Sequence, residues 1–120
     1  MENVLIISSN LMQSKRLDII LTLEGFYCIP VIEGSEAINL ILKKPFDLIF
    51  FDEKTPNISL DDIKNSMKSL NLPVTLFVIK AAPQEQDIIK DSQNNIYYID
   101  HSVISEKLPH KIKELLNSNL

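Results

Sequence analysis

Five short, almost uninterrupted apolar runs recur along the chain, at residues 4–7, 26–32, 47–52, 74–79 and 96–99. Runs this short and this apolar are typical of strands buried on both faces, as in a parallel sheet covered by helices. Segments with apolar residues at helical spacing lie between and after these runs. Strict alternation of five strands with five helices predicts a single α/β domain over residues 1–120, with right-handed crossovers and helices on both faces of the sheet.

The first helix is predicted from its end signals. A Ser-Ser-Asn triplet at residues 8–10 supplies N-cap residues for a helix that begins near Leu11, and Gly25 tolerates the left-handed conformation that ends helices. Its apolar face is predicted to consist of Leu17, Ile20 and Leu21, with Ile19 and Leu23 widening it. In the strand that follows, Pro30 cannot donate a ladder hydrogen bond, so this strand is expected at an edge of the sheet.

The later helices follow from similar signals. The second helix begins at Gly34-Ser35, and Ser59 with Asp62 three residues on resembles a capping box for the third. Pro83 suits the first turn of a short fourth helix that holds Ile88 and Ile89. Asn94-Asn95 marks a turn, and the fifth helix is predicted to begin near Pro109.

Composition and charge exclude several function classes. Apolar residues make up 45% of the chain and charged residues 23%, which is ordinary for a globular domain. A net charge of −4 gives no electrostatic case for binding nucleic acid or an anionic membrane. No apolar run approaches the roughly 20 residues of a membrane span, and the N-terminus lacks the basic region of a signal peptide. The lone Cys28 fits a reducing cytoplasm, so we expect a buried, unreactive thiol and a cytoplasmic protein.

Asp52 is the first candidate for chemistry. It ends the apolar run Leu48-Ile49-Phe50-Phe51, which delivers it to the carboxyl edge of the predicted sheet. Ligands of open α/β folds bind at that edge. Asp52 is therefore either a nucleophile or metal ligand, or a loop carboxylate that merely ends the strand.

Several short pieces of the chain are informative when their order and spacing are taken together. They are Val4-Leu5-Ile6-Ile7, Leu23-Glu24-Gly25-Phe26, Gly34-Ser35-Glu36-Ala37, residues 45–52 and Leu72-Pro73-Val74. In this order and spacing they resemble a response-regulator receiver domain. The resemblance covers essentially the whole chain and implies a flavodoxin-like (CheY-like) doubly wound domain. Its five-stranded parallel sheet would have the order 2-1-3-4-5, with five helices. It also implies that Asp52 stands at the position that accepts a phosphoryl group from a histidine kinase.

The residues around that position depart from the family pattern. Receivers bind Mg²⁺ with the acceptor Asp and an acidic pair after the first strand, and here that pair is Ser8 and Ser9. Mg²⁺ requires octahedral oxygen ligands with one or two carboxylates, so we expect its binding to be weak or absent and assign no cofactor. The family's Ser or Thr at the end of the fourth strand corresponds to Val78, with Ile79 as the neighbouring option.

Two further family positions are altered or ambiguous. The Lys after the fifth strand corresponds to Asp100, whose carboxylate would repel a phosphoryl group. Lys54 and Lys80 are candidate substitutes for the missing positive charge, because an ammonium near Asp52 would stabilise its ionised form. Tyr97 falls where receivers often carry an aromatic that moves between buried and exposed states, although ordinary packing explains it equally well.

Other function classes are less well supported. A haloacid-dehalogenase-type phosphatase requires a second Asp where Lys54 stands. A nucleotide-binding loop requires more glycines than Gly25 and Gly34. His101, His110 and the distant Cys28 do not have the spacing of a zinc site.

Two hypotheses remain. The first is an atypical pseudo-receiver, not an enzyme, that signals through protein–protein interaction. The resemblance implies that its partner is a signalling protein or histidine kinase. The partner would bind on the face formed by the fourth helix, fifth strand and fifth helix. A homodimer is also possible. The second is a competent phospho-acceptor in which a kinase phosphorylates Asp52.

Overall fold

The computed structural model describes residues 2–70, 73–91 and 95–117, and the predicted positions Leu72 and Asn94 lie outside them. Within these ranges the chain forms six strands, four α-helices and one 3₁₀ helix. The elements are β1 (Asn3–Ile7), α1 (Leu11–Leu23), β2 (Tyr27–Val31), α2 (Gly34–Lys43), β3 (Leu48–Asp52), α3 (Leu60–Lys68), β4 (Thr75–Ile79), β5 (Ile88–Lys90), β6 (Ile96–Ile99), the 3₁₀ helix (His101–Val103) and α4 (Leu108–Asn117).

The strands form one sheet in the order β2-β1-β3-β4-β6-β5. The first five strands in this order are parallel, and β5 pairs antiparallel with β6. The predicted α/β class and the 2-1-3-4-5 order of the parallel strands are therefore confirmed. Pro30 lies in β2 at one edge of the sheet, as predicted.

The predicted fourth helix is wrong. The residues assigned to it form bends and then β5, whose Ile88 and Ile89 pair with Ile99 and Tyr98 of β6. Two adjacent β-branched residues without apolar partners three or four positions away favour a strand over a helix. Pairing along the free edge of β6 outweighs the weak helix-start signal of Pro83. The sheet thus has six strands instead of five, and the described chain has four α-helices instead of five.

The core lies on both sides of the sheet, because alternate residues of each strand face opposite ways. In β3, Leu48 and Phe50 face α1 and α4, whereas Ile49 and Phe51 face α2 and α3. By the same alternation, Asp52 is directed to the α1 and α4 side.

Local end signals are confirmed at several helices. Asn10 caps α1 by accepting a hydrogen bond from the Gln13 backbone N–H at 3.1 Å. Ser59 and Asp62 form the predicted capping box, with reciprocal hydrogen bonds of 3.1 and 2.9 Å. Gly25 follows α1 with a positive φ of 93°. The final helix begins at Leu108, next to the predicted Pro109.

The predicted inner face of α1 is only partly correct. Leu17 and Leu21 are buried and Ile20 is half-buried, but Ile19 and Leu23 lie on the outer face and are exposed. The helix therefore carries apolar residues on two faces. No helix of the described residues is long and apolar enough to cross a membrane.

Candidate functional site

Asp52 lies at the carboxyl end of β3, between β1 and β4, and only 2% of its surface is exposed. Ser8 directly follows β1 and is fully buried. Because β1 and β3 run parallel, their carboxyl ends meet at the same edge of the sheet. The fold thus brings Ser8 and Asp52 together although 44 residues separate them.

Both carboxylate oxygens of Asp52 already accept hydrogen bonds from the chain. Oδ2 accepts from the Ser8 hydroxyl at 3.1 Å, and Oδ1 accepts from the Lys54 backbone N–H at 3.0 Å. The Asp52 main-chain oxygen accepts from the Thr55 N–H at 2.9 Å, which closes a tight turn after β3. The carboxylate is therefore held in one orientation by two donors from the chain.

The Ser8 hydroxyl is at the centre of a small polar network. It accepts a hydrogen bond from the Asn10 N–H at 3.1 Å and lies 3.3 Å from Gln13 Oε1 and 3.4 Å from the Asn10 carbonyl. A hydroxyl has one hydrogen to donate, and the ionised carboxylate of Asp52 is its nearest and strongest acceptor. Ser9, the other residue of the predicted pair, is exposed.

The two lysines proposed as charge substitutes are not equivalent. The Lys80 ammonium forms an ion pair with Glu53 Oε2 at 2.9 Å and lies 5.6 Å from the centre of the Tyr98 ring. Glu53 also accepts from the Ala81 N–H at 3.2 Å. The hydrogen bond from Lys80 is the main cause that holds the pKa of Glu53 below its usual value. The Lys54 side chain is exposed, and this residue reaches Asp52 through its backbone N–H instead.

The register of β3 and β4 decides which β4 residue lies beside Asp52. Asp52 is aligned with Ile79, whereas Val78 is aligned with Phe51. Neighbours in register share a face of the sheet, so Ile79, the second option from the sequence, is on the Asp52 side. Both residues are fully buried and apolar. Neither can donate a hydrogen bond to a group on Asp52.

Asp100 serves as a local cap after β6. Its carboxylate accepts from the Ser102 hydroxyl at 2.7 Å, the Ser102 N–H at 3.0 Å and the Gln84 N–H at 3.2 Å. The Ser102 hydroxyl is the main cause that holds the Asp100 pKa below its usual value. The next residue, His101, contacts α1, since its Nδ1 lies 2.8 Å from Gln13 Nε2.

Tyr97 is buried, in the inward position. Its ring stacks on Phe77 with a centroid distance of 5.3 Å, and Phe77 stacks on Phe50 at 4.9 Å. Cys28 is half-buried, and burial raises the pKa of its thiol to about 11, so it is protonated and unreactive at neutral pH.

The Asp52 carboxylate and the Ser8 hydroxyl offer oxygen ligands at this edge of the sheet. No cluster of three or more His, Cys, Asp or Glu side chains that could hold a metal ion occurs in the described part of the chain. Proteins usually bind Mg²⁺ through one or two carboxylates together with substrate oxygens and water. Asp52 supplies one carboxylate here, and each of its two oxygens accepts a hydrogen bond from the chain.

Sequence reasoning missed three residues of this region. Gln13 contacts His101 through its Nε2 and places its Oε1 3.3 Å from the Ser8 hydroxyl, and Glu53 forms an ion pair with the ammonium of Lys80. Both depend on contacts between distant parts of the chain, which the sequence pattern does not show. Thr55 is the third: it is 3% exposed, and its hydroxyl has no hydrogen-bond partner among the described residues.

Replacing Thr55 with Val is expected to stabilise the domain by about 1 kcal/mol. A buried hydroxyl without a partner loses its hydrogen bonds to water and forms none with the protein to replace them. Urea unfolding of both proteins measures the difference. Thr75→Val is a matched control, since the buried Thr75 hydroxyl accepts from Asn95 at 2.7 Å and its loss should destabilise. Equal destabilisation by both substitutions would contradict this account of Thr55.

No family model matches the chain, and comparison with curated proteins finds no match either. Solved structures do match. A CheY-like receiver domain protein from Methanospirillum hungatei has a TM-score of 0.77 at 19% identity, over 98% of this chain and 95% of that one. The response regulator TrrA from Thermotoga maritima, solved with Mg²⁺ and BeF, has a TM-score of 0.75 at 21% identity, over 96% and 99%.

A chain from the crystal structure of the histidine kinase ThkA in complex with TrrA matches with a TM-score of 0.74 at 20% identity, over 97% of this chain and 99% of that one. These similarities span nearly the full length of both chains. They establish that this chain has the fold of CheY-like response-regulator receiver domains.

Proposed function

We propose that the chain is an atypical receiver domain of two-component signalling, which acts in the cytoplasm through protein–protein interaction and without Mg²⁺-dependent phosphorylation. It is a binding module and not an enzyme. The observation that carries the proposal is the set of contacts made by Asp52, whose two oxygens accept hydrogen bonds from the Ser8 hydroxyl and from the Lys54 backbone, with no second carboxylate bonded to Ser8.

The surroundings of Asp52 support the same proposal. Transfer of a phosphoryl group requires positive charge near the acceptor, because negative charge develops on the phosphoryl oxygens. Here Lys80 is paired with Glu53, and the Lys54 side chain is exposed. Ile79 beside Asp52 offers no hydroxyl. The carboxylate stands at the acceptor position of the fold, but the groups that would stabilise a phosphoryl group on it are missing or otherwise engaged.

A second candidate function is that of a competent phospho-acceptor, in which a histidine kinase phosphorylates Asp52. One observation favours it: Asp52 lies at the carboxyl end of β3, where the resemblance to receivers places the acceptor, and TrrA, which shares the fold, was solved with Mg²⁺ and BeF. The ion pair between Lys80 and Glu53 is partly exposed and would need to open for Lys80 to reach Asp52.

The face that the sequence analysis expects to bind a partner is built from different elements in the structure. The face predicted from a fourth helix, the fifth strand and the fifth helix consists here of β5, β6 and α4. We propose that a signalling protein or histidine kinase binds this face. The structure of ThkA with TrrA, a receiver-fold neighbour bound to a kinase, supports a protein partner of this kind.

An amide NMR titration with Mg²⁺, followed by beryllofluoride, tests the proposal. We expect no saturable shifts at Ser8, Asp52 or Lys54 at millimolar Mg²⁺, because Asp52 lacks a second carboxylate. Asp52→Asn serves as the control for nonspecific ion effects. Saturable shifts in the native protein that this control abolishes would contradict the proposal and support the phospho-acceptor.

A further inference from the structure

The outer face of α1 carries three exposed apolar side chains beside the basic Lys15 and Arg16. Met12 is 85% exposed, Leu23 80% and Ile19 51%, while the opposite face of the helix packs Leu17 and Leu21 into the core. A surface helix of a globular domain normally has a polar outer face. Exposed apolar residues grouped in a stripe on one face of such a helix are typical of a surface that another molecule covers.

The exposed stripe has the spacing of a coiled-coil seam. Met12, Arg16, Ile19 and Leu23 are separated by four, three and four residues, as are the core positions of a heptad. This spacing reads the same in both directions. When two copies of α1 pack antiparallel, Met12 therefore faces Leu23 of the second copy, and Arg16 faces Ile19 of the second copy.

A groove runs along this stripe. It has a volume of about 460 Å³ and is lined by the stripe together with Lys15, Ile20 and Glu106. The α1 wall is basic at Lys15 and Arg16, and the opposite wall is acidic at Glu106. None of the salt bridges among the described residues uses Arg16 or Glu106. A second α1 placed in this groove would bring its own Lys15 and Arg16 towards Glu106.

We propose that the chain forms a homodimer through antiparallel packing of α1 against α1 of a second copy. Met12, Ile19 and Leu23 of each copy become buried against the second copy. Arg16 near the centre of the stripe fixes the register, as a single polar residue does in a coiled coil. This dimer is independent of the proposed signalling role and of the β5, β6 and α4 face.

The dimer also has a consequence for the Asp52 region. A second groove shares Met12 and Arg16 with the first and is lined by Gln13, His101 and Ile104. Gln13 and His101 are the outer members of the polar network that reaches Ser8. Packing a second copy on α1 would therefore cover the groove beside Gln13 and His101. A helix of 13 residues is only about 20 Å long, so the interface is small and its dissociation constant is expected to be micromolar or weaker.

Sedimentation equilibrium of the native protein over a wide concentration range provides the first test. We expect a monomer–dimer equilibrium, with a dissociation constant raised at least about tenfold by Ile19→Glu or by Leu23→Glu. Leu42→Glu on α2 is the matched control, because Leu42 and Ile19 are both 51% exposed. Circular dichroism verifies that each variant is folded. A native protein that stays monomeric, or a dimer weakened equally by all three substitutions, would overturn the proposal.

Disulfide trapping tests the direction of packing. Met12→Cys and Leu23→Cys are introduced separately in a Cys28→Ser background, and the two proteins are mixed under mild oxidation. We expect the mixed 12–23 disulfide to form faster than either symmetric disulfide. Preferential 12–12 and 23–23 disulfides would show that the helices are parallel and would overturn the antiparallel dimer. The proposal would also be overturned if none of the 12–23, 12–12 and 23–23 disulfides formed faster than the disulfide of a Leu42→Cys control.

Discussion

Replacing Ser8 with Asp is expected to lower the free energy of unfolding by roughly 3 kcal/mol in the absence of divalent cations. Ser8 is fully buried, and its hydroxyl donates to Asp52 Oδ2 at 3.1 Å. The substitution removes this donor and places a second carboxylate against the first. Two carboxylates that share a buried site repel each other, which destabilises the folded state at neutral pH.

Mg²⁺ should reverse this loss, because the paired carboxylates of the variant would supply the charge that the native site lacks. A ligand present at 100 times its dissociation constant stabilises the folded state by about 2.7 kcal/mol. Thermal unfolding with and without Mg²⁺ measures both effects. We expect the melting temperature of the variant to rise with Mg²⁺ and that of the native protein to stay unchanged.

Ser9→Asp is the control for this experiment. Ser9 is exposed, so a carboxylate there should change stability by no more than about 0.5 kcal/mol. Two results would contradict the account of the site. One is a native protein that Mg²⁺ stabilises as strongly as the Ser8→Asp variant, and the other is a Ser8→Asp variant as stable as the native protein without cations.

Phe77→Ala is expected to destabilise the domain by about 3–5 kcal/mol, the cost of deleting a fully buried aromatic side chain. Phe77 lies on the central strand β4 and stacks between the rings of Phe50 and Tyr97. Since domains of this size are stable by only about 5–15 kcal/mol, the loss is a large share of the total. Urea unfolding gives its magnitude.

This stack also holds the Tyr97 ring in its buried position. The Phe77→Ala variant should therefore lose near-ultraviolet circular dichroism from Tyr97 while it keeps its far-ultraviolet signal. Tyr27→Ala is the control, because Tyr27 is 56% exposed and contributes little to the core. A loss of stability no greater than that of this control would show that Phe77 is not central to the packing.

The strands and most helix ends were predictable because their signals are local. Each parallel strand is a short apolar run, and the capping box at Ser59 and the stop at Gly25 act within one turn of the helix they border. Even the edge position of β2 follows from a local property, the missing N–H of Pro30. These features can be predicted without knowing which residues are in contact across the sheet.

The errors concern contacts between distant residues. Ile88 and Ile89 form β5 because the edge of β6 is available to them, which a local pattern cannot reveal. Ile19 and Leu23 are predicted on the inner face of α1 but are exposed in the structure. The apolar character of a residue does not by itself show which side of a helix packs against the sheet. The sequence also left Val78 and Ile79 open as the residue that ends the fourth parallel strand, and the register of β3 with β4 aligns Ile79 with Asp52.

The α/β class, the parallel strands and the position of Asp52 at a strand end can all be predicted from the amino-acid sequence, because alternating apolar runs and a terminal carboxylate are sufficient for each. The contacts of Asp52 cannot be predicted in this way and are known only from the folded structure. Ser8 rather than Ser9 reaches it, Lys80 is held by Glu53, and its second donor is the Lys54 backbone. These partners depend on strand register and side-chain packing across the carboxyl edge of the sheet, where segments far apart in the chain meet.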